Sequence, residues 1–407
     1  MHRVLAISFL FPSSAAPNRG IFVLNRLRAI SKKCTIKVIN PIPWFPFQRF
    51  FKRYQGLDSV PQVEVIDGIE IFHPRFFSIP FTFKLVTAIC YSISVYRLAR
   101  QIHREFEFDL VDLHWTFPDL PAGRLIASRF RKKQLVTVRG TPALHLKEWG
   151  SRSFLVRKLL PKSDAIITLS QRLKDHCVAM GAPSQRTTVI RNGVDAANFN
   201  YLKMRDCRQE LELPIDRTIV LGVGFLARRK GFDRLIRAIA TINRPDVHLY
   251  LIGPGGAITV GGDRSHELWK LASSLGVESQ VHFVGEVPNT TLIKWYNAAD
   301  LFCLSSRDEG SPNVLGEALS CGCPSVATDV GAVPDIMTSE ALGVVCENST
   351  EGVLSGLQTA LSRAYDRQQI SKEVKRYDWK WCADQVINIY GHVNQDAVFS
   401  ATDNPRK

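Results

Sequence analysis

Short apolar runs recur along the chain, each followed by a longer stretch whose apolar positions repeat every three or four residues. Continuous short runs are the pattern of strands covered on both faces, and the longer period is that of helices packed along one stripe. The runs place strands near 3–9, 35–39, 63–66, 69–72, 109–113, 134–138 and 165–168, and again near 218–223, 247–252, 280–284, 300–304, 323–327 and 342–346. This alternation predicts an α/β chain built on doubly wound parallel sheets, which take ligands at the carboxyl ends of their strands. The 407 residues are long for one core, and the pattern pauses at Ile190-Arg191-Asn192-Gly193-Val194-Asp195, where Asn-Gly marks a turn. We therefore expect a Rossmann-like domain over 1–190 and a second over 191–378.

A last helix, about 379–391, sets Cys382, Val386, Ile389 and Tyr390 on one stripe that another element has to cover. The polar residues after about 393 are expected to fray. The apolar stretch from Ile79 to Val95 is interrupted by Lys84, and Arg97, Arg100 and Arg104 extend its helical period. It reads as a packed amphipathic helix rather than a membrane span. Val4 to Phe9 reads as a buried first strand, not as a secretory leader.

Composition changes the picture at two points. Nine scattered cysteines, with Cys321 and Cys323 too close for a redox or zinc pair, point to a reducing compartment and hence a cytoplasmic protein. The net charge of +14 is uneven, +18 over residues 1–193 against −4 over the remainder. Basic clusters fall at Arg26/Arg28/Lys32/Lys33, Arg49/Lys52/Arg53, Arg129/Arg131/Lys132/Lys133 and Arg157/Lys158/Lys162. Nucleic acid and an anionic membrane both answer to such a field. Trp44, Phe45, Phe47, Phe50, Phe51 and Tyr54 interleave the second cluster, which favours a peripheral contact at the inner face of the cell membrane over nucleic acid. A solvated face over a local apolar core is the plainer alternative.

The candidate chemistry is concentrated in a few turns. Glu309-Gly310-Ser311-Pro312-Asn313-Val314-Leu315-Gly316-Glu317-Ala318 sets one carboxylate beside a turn and a second within an apolar helical pattern. We expect Glu309 at the mouth of a helix N-terminus suited to phosphate or sugar hydroxyls, and Glu317 two turns along the same face, accepting from a ribose diol. Lys230, with Arg228 beside it, follows a strand and precedes a helical start, where a fixed cation neutralises a leaving diphosphate. Gly20 opens the first helix, where backbone can approach a phosphate or a transferred sugar. Each of these residues also has a purely structural reading, as a helix-dipole partner, a solvated basic turn or a turn glycine. His114 and Arg139 stand at strand ends as candidates for an acceptor or a phosphate, or as structural groups. Gly253-Pro254-Gly255-Gly256 and Gly261-Gly262 lack the Gly-Lys-Ser/Thr of a phosphate loop and read as a turn. There is no Asp-x-Asp and no His/Cys cluster of zinc spacing, so no metal or other cofactor is called for.

Together with Ser320-Cys321-Gly322-Cys323-Pro324-Ser325-Val326-Ala327-Thr328-Asp329-Val330-Gly331-Ala332-Val333-Pro334-Asp335, the Glu309 segment resembles the donor-site motif of glycosyltransferase family 4, retaining enzymes of the GT-B fold. The segments at 190–195, 223–231, 251–255 and 281–285 match in order and spacing, so the resemblance covers essentially 1–392. It implies two Rossmann-like domains facing across a cleft, with the 379–392 helix crossing back to the first. It also implies a nucleotide-diphosphate sugar held through Gly20, Ser311, Asn313, Val314, Glu317 and Val284, with Glu309 at the sugar and Lys230 and Arg228 at the diphosphate. Two departures stand out: Phe225 where the family usually has Arg, which passes the basic role at the diphosphate to Arg228 or Arg229 with Lys230 in its usual place, and Arg139 where it often has His. Arg139 cannot act as a general base. Transfer with retention, in which the leaving phosphate helps deprotonate the acceptor, tolerates that loss. The resemblance and the basic, aromatic first half together imply transfer to a lipid-linked glycan in polysaccharide assembly. The alternatives are a nucleotide-sugar epimerase of the same fold and a non-catalytic module binding nucleic acid or membrane.

Overall fold

The computed structural model describes residues 1–51, 54–78, 84–139, 150–255 and 263–402, without the side chains of 49, 84 and 395–402. The basic positions at 49, 52 and 53, the segment 140–141 and the glycines at 256, 261 and 262 therefore lie wholly or in their side chains outside the described residues. The chain divides into two compact units, one of Met1–Asn192 with Trp379–Lys407 and one of Gly193–Asp378.

The first unit is built on β1 (Arg3–Ile7), β2 (Thr35–Ile39), β3 (Ile42–Trp44), β4 (Val63–Ile66), β5 (Ile69–Phe72), β6 (Arg75–Phe77), β7 (Leu110–Leu113), β8 (Lys133–Val138), β9 (Ala165–Thr168) and β10 (Thr187–Val189). Eight of them form one sheet in the order β10-β9-β8-β7-β1-β2-β5-β4. Its central strands are covered on both faces, and Val4, Leu5, Ala6 and Ile7 of β1 are all fully buried. All pairings are parallel except the edge hairpin of β4 with β5, whose turn puts Asp67 (φ 51°) and Gly68 (φ 76°) in the left-handed conformation that a tight two-residue hairpin demands. β3 and β6 form a separate parallel ribbon. Its helices include α1 (Ile21–Ser31) and α2 (Lys84–Glu105), with the returning Trp379–Thr402 segment described below. Among the described residues no helix is long and apolar enough to cross a membrane.

The second unit carries β11 (Thr218–Val223), β12 (Val247–Ile252), β13 (Val281–Gly285), β14 (Leu301–Leu304), β15 (Ser325–Thr328) and β16 (Gly343–Cys346), in the all-parallel order β13-β12-β11-β14-β15-β16. The order reverses between β11 and β14, and in open α/β sheets the crevice beyond that switch is where ligands bind. The chain leaving β11 leads to α3 (Phe232–Ile242), and the chain leaving β14 leads to α4 (Asn313–Ser320).

The final helix, α5 (Trp379–Thr402), belongs to the first unit. Its Cys382, Val386 and Tyr390 are buried in one cluster with Val23, Leu27 and Ile30 of α1. Lys33 Nζ reaches Asp384 at 2.7 Å, and the Tyr390 hydroxyl donates to buried Asp112 at 2.6 Å.

Candidate active site

At the switch point of the second unit, the loops after β11 and β14 are tied to one another. The Arg307 guanidinium makes two bonds to Asp233 at 2.8 and 2.6 Å, and the Arg307 amide donates to the Arg229 carbonyl at 2.8 Å. Gly231 (φ 68°) closes the first loop into α3, and a Cβ there would lie 2.0 Å from the Ser305 carbonyl oxygen. Only glycine allows the two loops to approach so closely.

This knot holds Glu309 beside two cations. Lys230 Nζ donates to Glu309 Oε1 at 2.7 Å, Arg229 Nη1 to Oε2 at 2.9 Å, and the Ser306 hydroxyl to Oε1 at 2.8 Å. Burial pushes the Glu309 carboxyl up, but Lys230 and Arg229 outweigh it and hold it below the usual range. Glu309 is thus an ionised, pre-paired carboxylate. Arg228, which the sequence reading put beside Lys230, points its side chain to solvent, and Arg229 is the arginine at Glu309.

Glu309 lies in the loop ahead of α4, which begins at Asn313, so Glu309 and Glu317 do not share a helical face as expected. Pro312 stops the helix from extending back to Glu309, since its ring disfavours helical backbone in the residue before it. Ser311, Asn313 and Val314 are partly exposed around the start of α4, and no side chain caps it. One turn on, burial pushes the Glu317 carboxyl up to about 7, against a 3.1 Å hydrogen bond from the Tyr296 hydroxyl. Val284 is partly buried on β13, and Phe225 is 43% exposed beyond β11.

The candidates of the first unit have a different character. Gly20 (φ 72°) precedes α1, and a Cβ there would meet the Leu10 carbonyl oxygen at 2.5 Å, so the fold itself requires glycine. His114 is wholly buried, with Nε2 3.4 Å from Asp112 Oδ2. Burial first, then Arg139 and Arg26, push its pKa well below the ordinary value and keep it neutral. Arg139 is 2% exposed, donates to Asn192 Oδ1 at 2.9 Å and stacks over Phe22 at 5.3 Å. Arg26, read from sequence as part of a cationic surface cluster, is fully buried and donates to Thr137 Oγ1 at 2.9 Å. It shares the core stripe of α1 with Val23, Leu27 and Ile30, a placement that its charge conceals in the sequence. Asp112, not singled out from sequence, and Tyr390, expected only as part of the apolar stripe of the last helix, complete this buried polar cluster. Among the described residues no group of His, Cys, Asp and Glu is gathered as a metal site.

A family model described as Glycosyltransferase Family 4 matches residues 53–198, and one described as Glycosyl transferases group 1 matches residues 203–377. Between them the two models take in residues of both units, and the chain is a glycosyltransferase. Among its relatives, the putative teichuronic acid biosynthesis glycosyltransferase TuaC of Bacillus subtilis (strain 168) is 24% identical over 91% of this chain and 90% of that protein. A D-inositol 3-phosphate glycosyltransferase of Catenulispora acidiphila is 32% identical over 46% of each chain. Among solved structures, the sucrose-phosphate synthase of Thermosynechococcus elongatus aligns with TM-score 0.77 at 20% identity, over 98% of this chain and all of that one. Anabaena HepE, in complex with UDP and glucose, aligns with TM-score 0.71 at 17% identity, over 96% of this chain and all of that one. These neighbours identify the GT-B fold, an α/β chain of two Rossmann-like domains.

Proposed function

We propose that this glycosyltransferase moves a sugar from a nucleotide-diphosphate donor to an acceptor hydroxyl with retention of anomeric configuration, the acceptor being a lipid-linked glycan in cell-surface polysaccharide assembly. The observation that carries the reading is the Lys230–Glu309–Arg229 group, set at the switch point of the second unit just ahead of the start of α4. The diphosphate takes its charge neutralisation from Lys230 and Arg229, which already share an anion in Glu309, and needs no metal in this reading. Glu309, accepting from three donors, is better suited to fixing sugar hydroxyls than to attacking carbon as a nucleophile. Glu317 accepts from the ribose diol, and the amides opening α4 face the donor's anionic part.

Neutral His114 and charged Arg139 leave the first unit without a base of ordinary pKa at these two positions, which supports proton transfer from acceptor to the leaving phosphate. The relative named for teichuronic acid biosynthesis and the basic first half support a cell-surface polymer at the cytoplasmic face of the membrane. Thermal-shift screening against nucleotide sugars, followed by determination of the product anomer, tests the reading. A panel that raises the melting temperature with no nucleotide sugar, or a product of inverted configuration, would refute it.

A further inference from the structure

The outer face of α2 changes chemistry along its length. Ala88, Tyr91, Val95, Ala99 and Ile102 are buried and form the inner stripe. On the opposite side Leu85, Val86, Ile89 and Ile93 are 45–51% exposed, and the same row continues as exposed Arg97, Arg100 and Arg104. Among the described residues those three arginines enter no ion pair or hydrogen bond. At the helical rise the apolar half spans about 12 Å and the cationic half about 10 Å.

Two further features join the apolar half. Phe77 of β6 lines a groove of 640 Å³ together with Cys90, Ile93, Arg97 and Leu98 of α2. Trp44 of β3, 50% exposed, lies with its ring centroid 6.5 Å from that of Phe77. Large apolar side chains grouped this way at a surface mark a contact site rather than chance exposure. Their neighbours on the helix are three exposed arginines against a single acid, Glu105 at its end, and phosphate headgroups are the complementary partner.

A helix lying flat in a membrane interface has its apolar and cationic sides back to back around its circumference. On α2 the solvent-facing stripe instead carries them end to end. We propose that α2 enters an anionic lipid bilayer obliquely, its first turns with Phe77 and Trp44 reaching the acyl boundary while Arg97, Arg100 and Arg104 stay among the headgroups. The proposal rests on the reading of the acceptor as lipid-linked, and would set the first unit against the surface that holds it.

The test uses the full chain with vesicles of phosphatidylglycerol mixed with phosphatidylcholine, and of phosphatidylcholine alone. The wild type should bind the anionic vesicles and release with salt. R97Q/R100Q/R104Q should weaken binding on the order of a hundredfold, from about 1 kcal/mol per arginine. I89S/I93S, at exposed positions, should weaken it while retaining the salt dependence. Vesicles with brominated acyl chains should quench a tryptophan in Leu85→Trp more than one in Arg104→Trp, each compared with the parent chain. Equal quenching at both positions, equal binding to both vesicle types, or unchanged binding in both variants would overturn the proposal. So would a dimer in sedimentation that I89S/I93S dissociates, because the face would then belong to a second copy. The nucleotide-sugar thermal shift, measured in parallel, separates the outcomes: a wild type that binds no vesicle yet is stabilised by a donor loses this surface and keeps the transferase.

Discussion

In the proposed site Glu317 would couple donor binding to pH. Its carboxyl stands at about 7 in the folded chain against an ordinary 4.5, because desolvation by burial, with Asp195 adding to it, outweighs the hydrogen bond from Tyr296. Below the ordinary value both the folded and unfolded forms are protonated, and the group is neutral to stability. As pH rises from about 4.5 to 7 the unfolded chain gives up this proton first, so the native state loses up to roughly 3 kcal/mol relative to acid conditions. Glu317→Gln keeps an oxygen to accept from Tyr296 and removes that loss, so at pH 8 its gain in stability over the wild type should exceed the gain at pH 5 by about 2.5 kcal/mol. Donor binding should run the opposite way. A ribose diol donates two hydrogen bonds, and the ionised carboxylate is the form that accepts both. With about a tenth of the chain ionised at pH 6 and about nine tenths at pH 8, apparent affinity should improve roughly tenfold over that range. The assay is calorimetric titration with an intact nucleotide sugar, whose phosphodiester linkages do not titrate there, on wild type and Glu317→Gln. A wild-type affinity that is flat in pH, or a slope retained in Glu317→Gln, would refute the reasoning.

Lys230→Ala should lower turnover about a hundredfold, roughly 3 kcal/mol of lost charge stabilisation, and near-wild-type turnover would remove Lys230 from the diphosphate. Arg229→Ala should cost tenfold or more in turnover while Arg228→Ala stays close to wild type; the reverse order in a side-by-side assay would contradict the geometry at Glu309. Because His114 is held neutral, turnover at saturating donor should have the same pH profile in wild type and His114→Gln, and an acidic limb near pH 6.5 that vanishes in the variant would expose a histidine base. Tyr390→Phe strips buried Asp112 of its donor, and denaturant unfolding should show a loss of about 1–3 kcal/mol, with no change counting against a buried, paired Asp112.

The strands legible in the sequence were those whose apolar residues run on or alternate over four or more positions. Thr35–Ile39, Thr218–Val223 and Val247–Ile252 fall where the runs place them. β10 was missed because two of its three residues are threonine, and β3 and β6 because three residues give no period to read. Arg26 shows the limit of reading charge as surface: nothing in an isolated arginine tells that a helix face will carry it inward beneath α5. The choice between Arg228 and Arg229 was equally closed. Both lie in one turn of 3₁₀-helix, where neighbours project about 120° apart, and only the position of Glu309, some eighty residues along, decides which is used. Glu317 could be named as a candidate from its motif, but its raised pKa comes from burial in the folded unit, which the motif does not show.

Because α5 is made after the whole second unit yet covers α1, which precedes that unit, synthesis on the ribosome imposes an order. The second unit is contiguous and can close as soon as it has emerged, whereas the first must wait through all of Gly193–Asp378 with Val23, Leu27 and Ile30 uncovered and Asp112 lacking its tyrosine. At usual elongation rates that wait is on the order of ten to forty seconds. A nascent chain in that interval shows a hydrophobic stripe to chaperones, and a message truncated before Trp379 leaves the stripe open for good. Stop codons just ahead of Trp379 should therefore yield aggregation rather than a shortened working enzyme, although both sheets would be encoded in full.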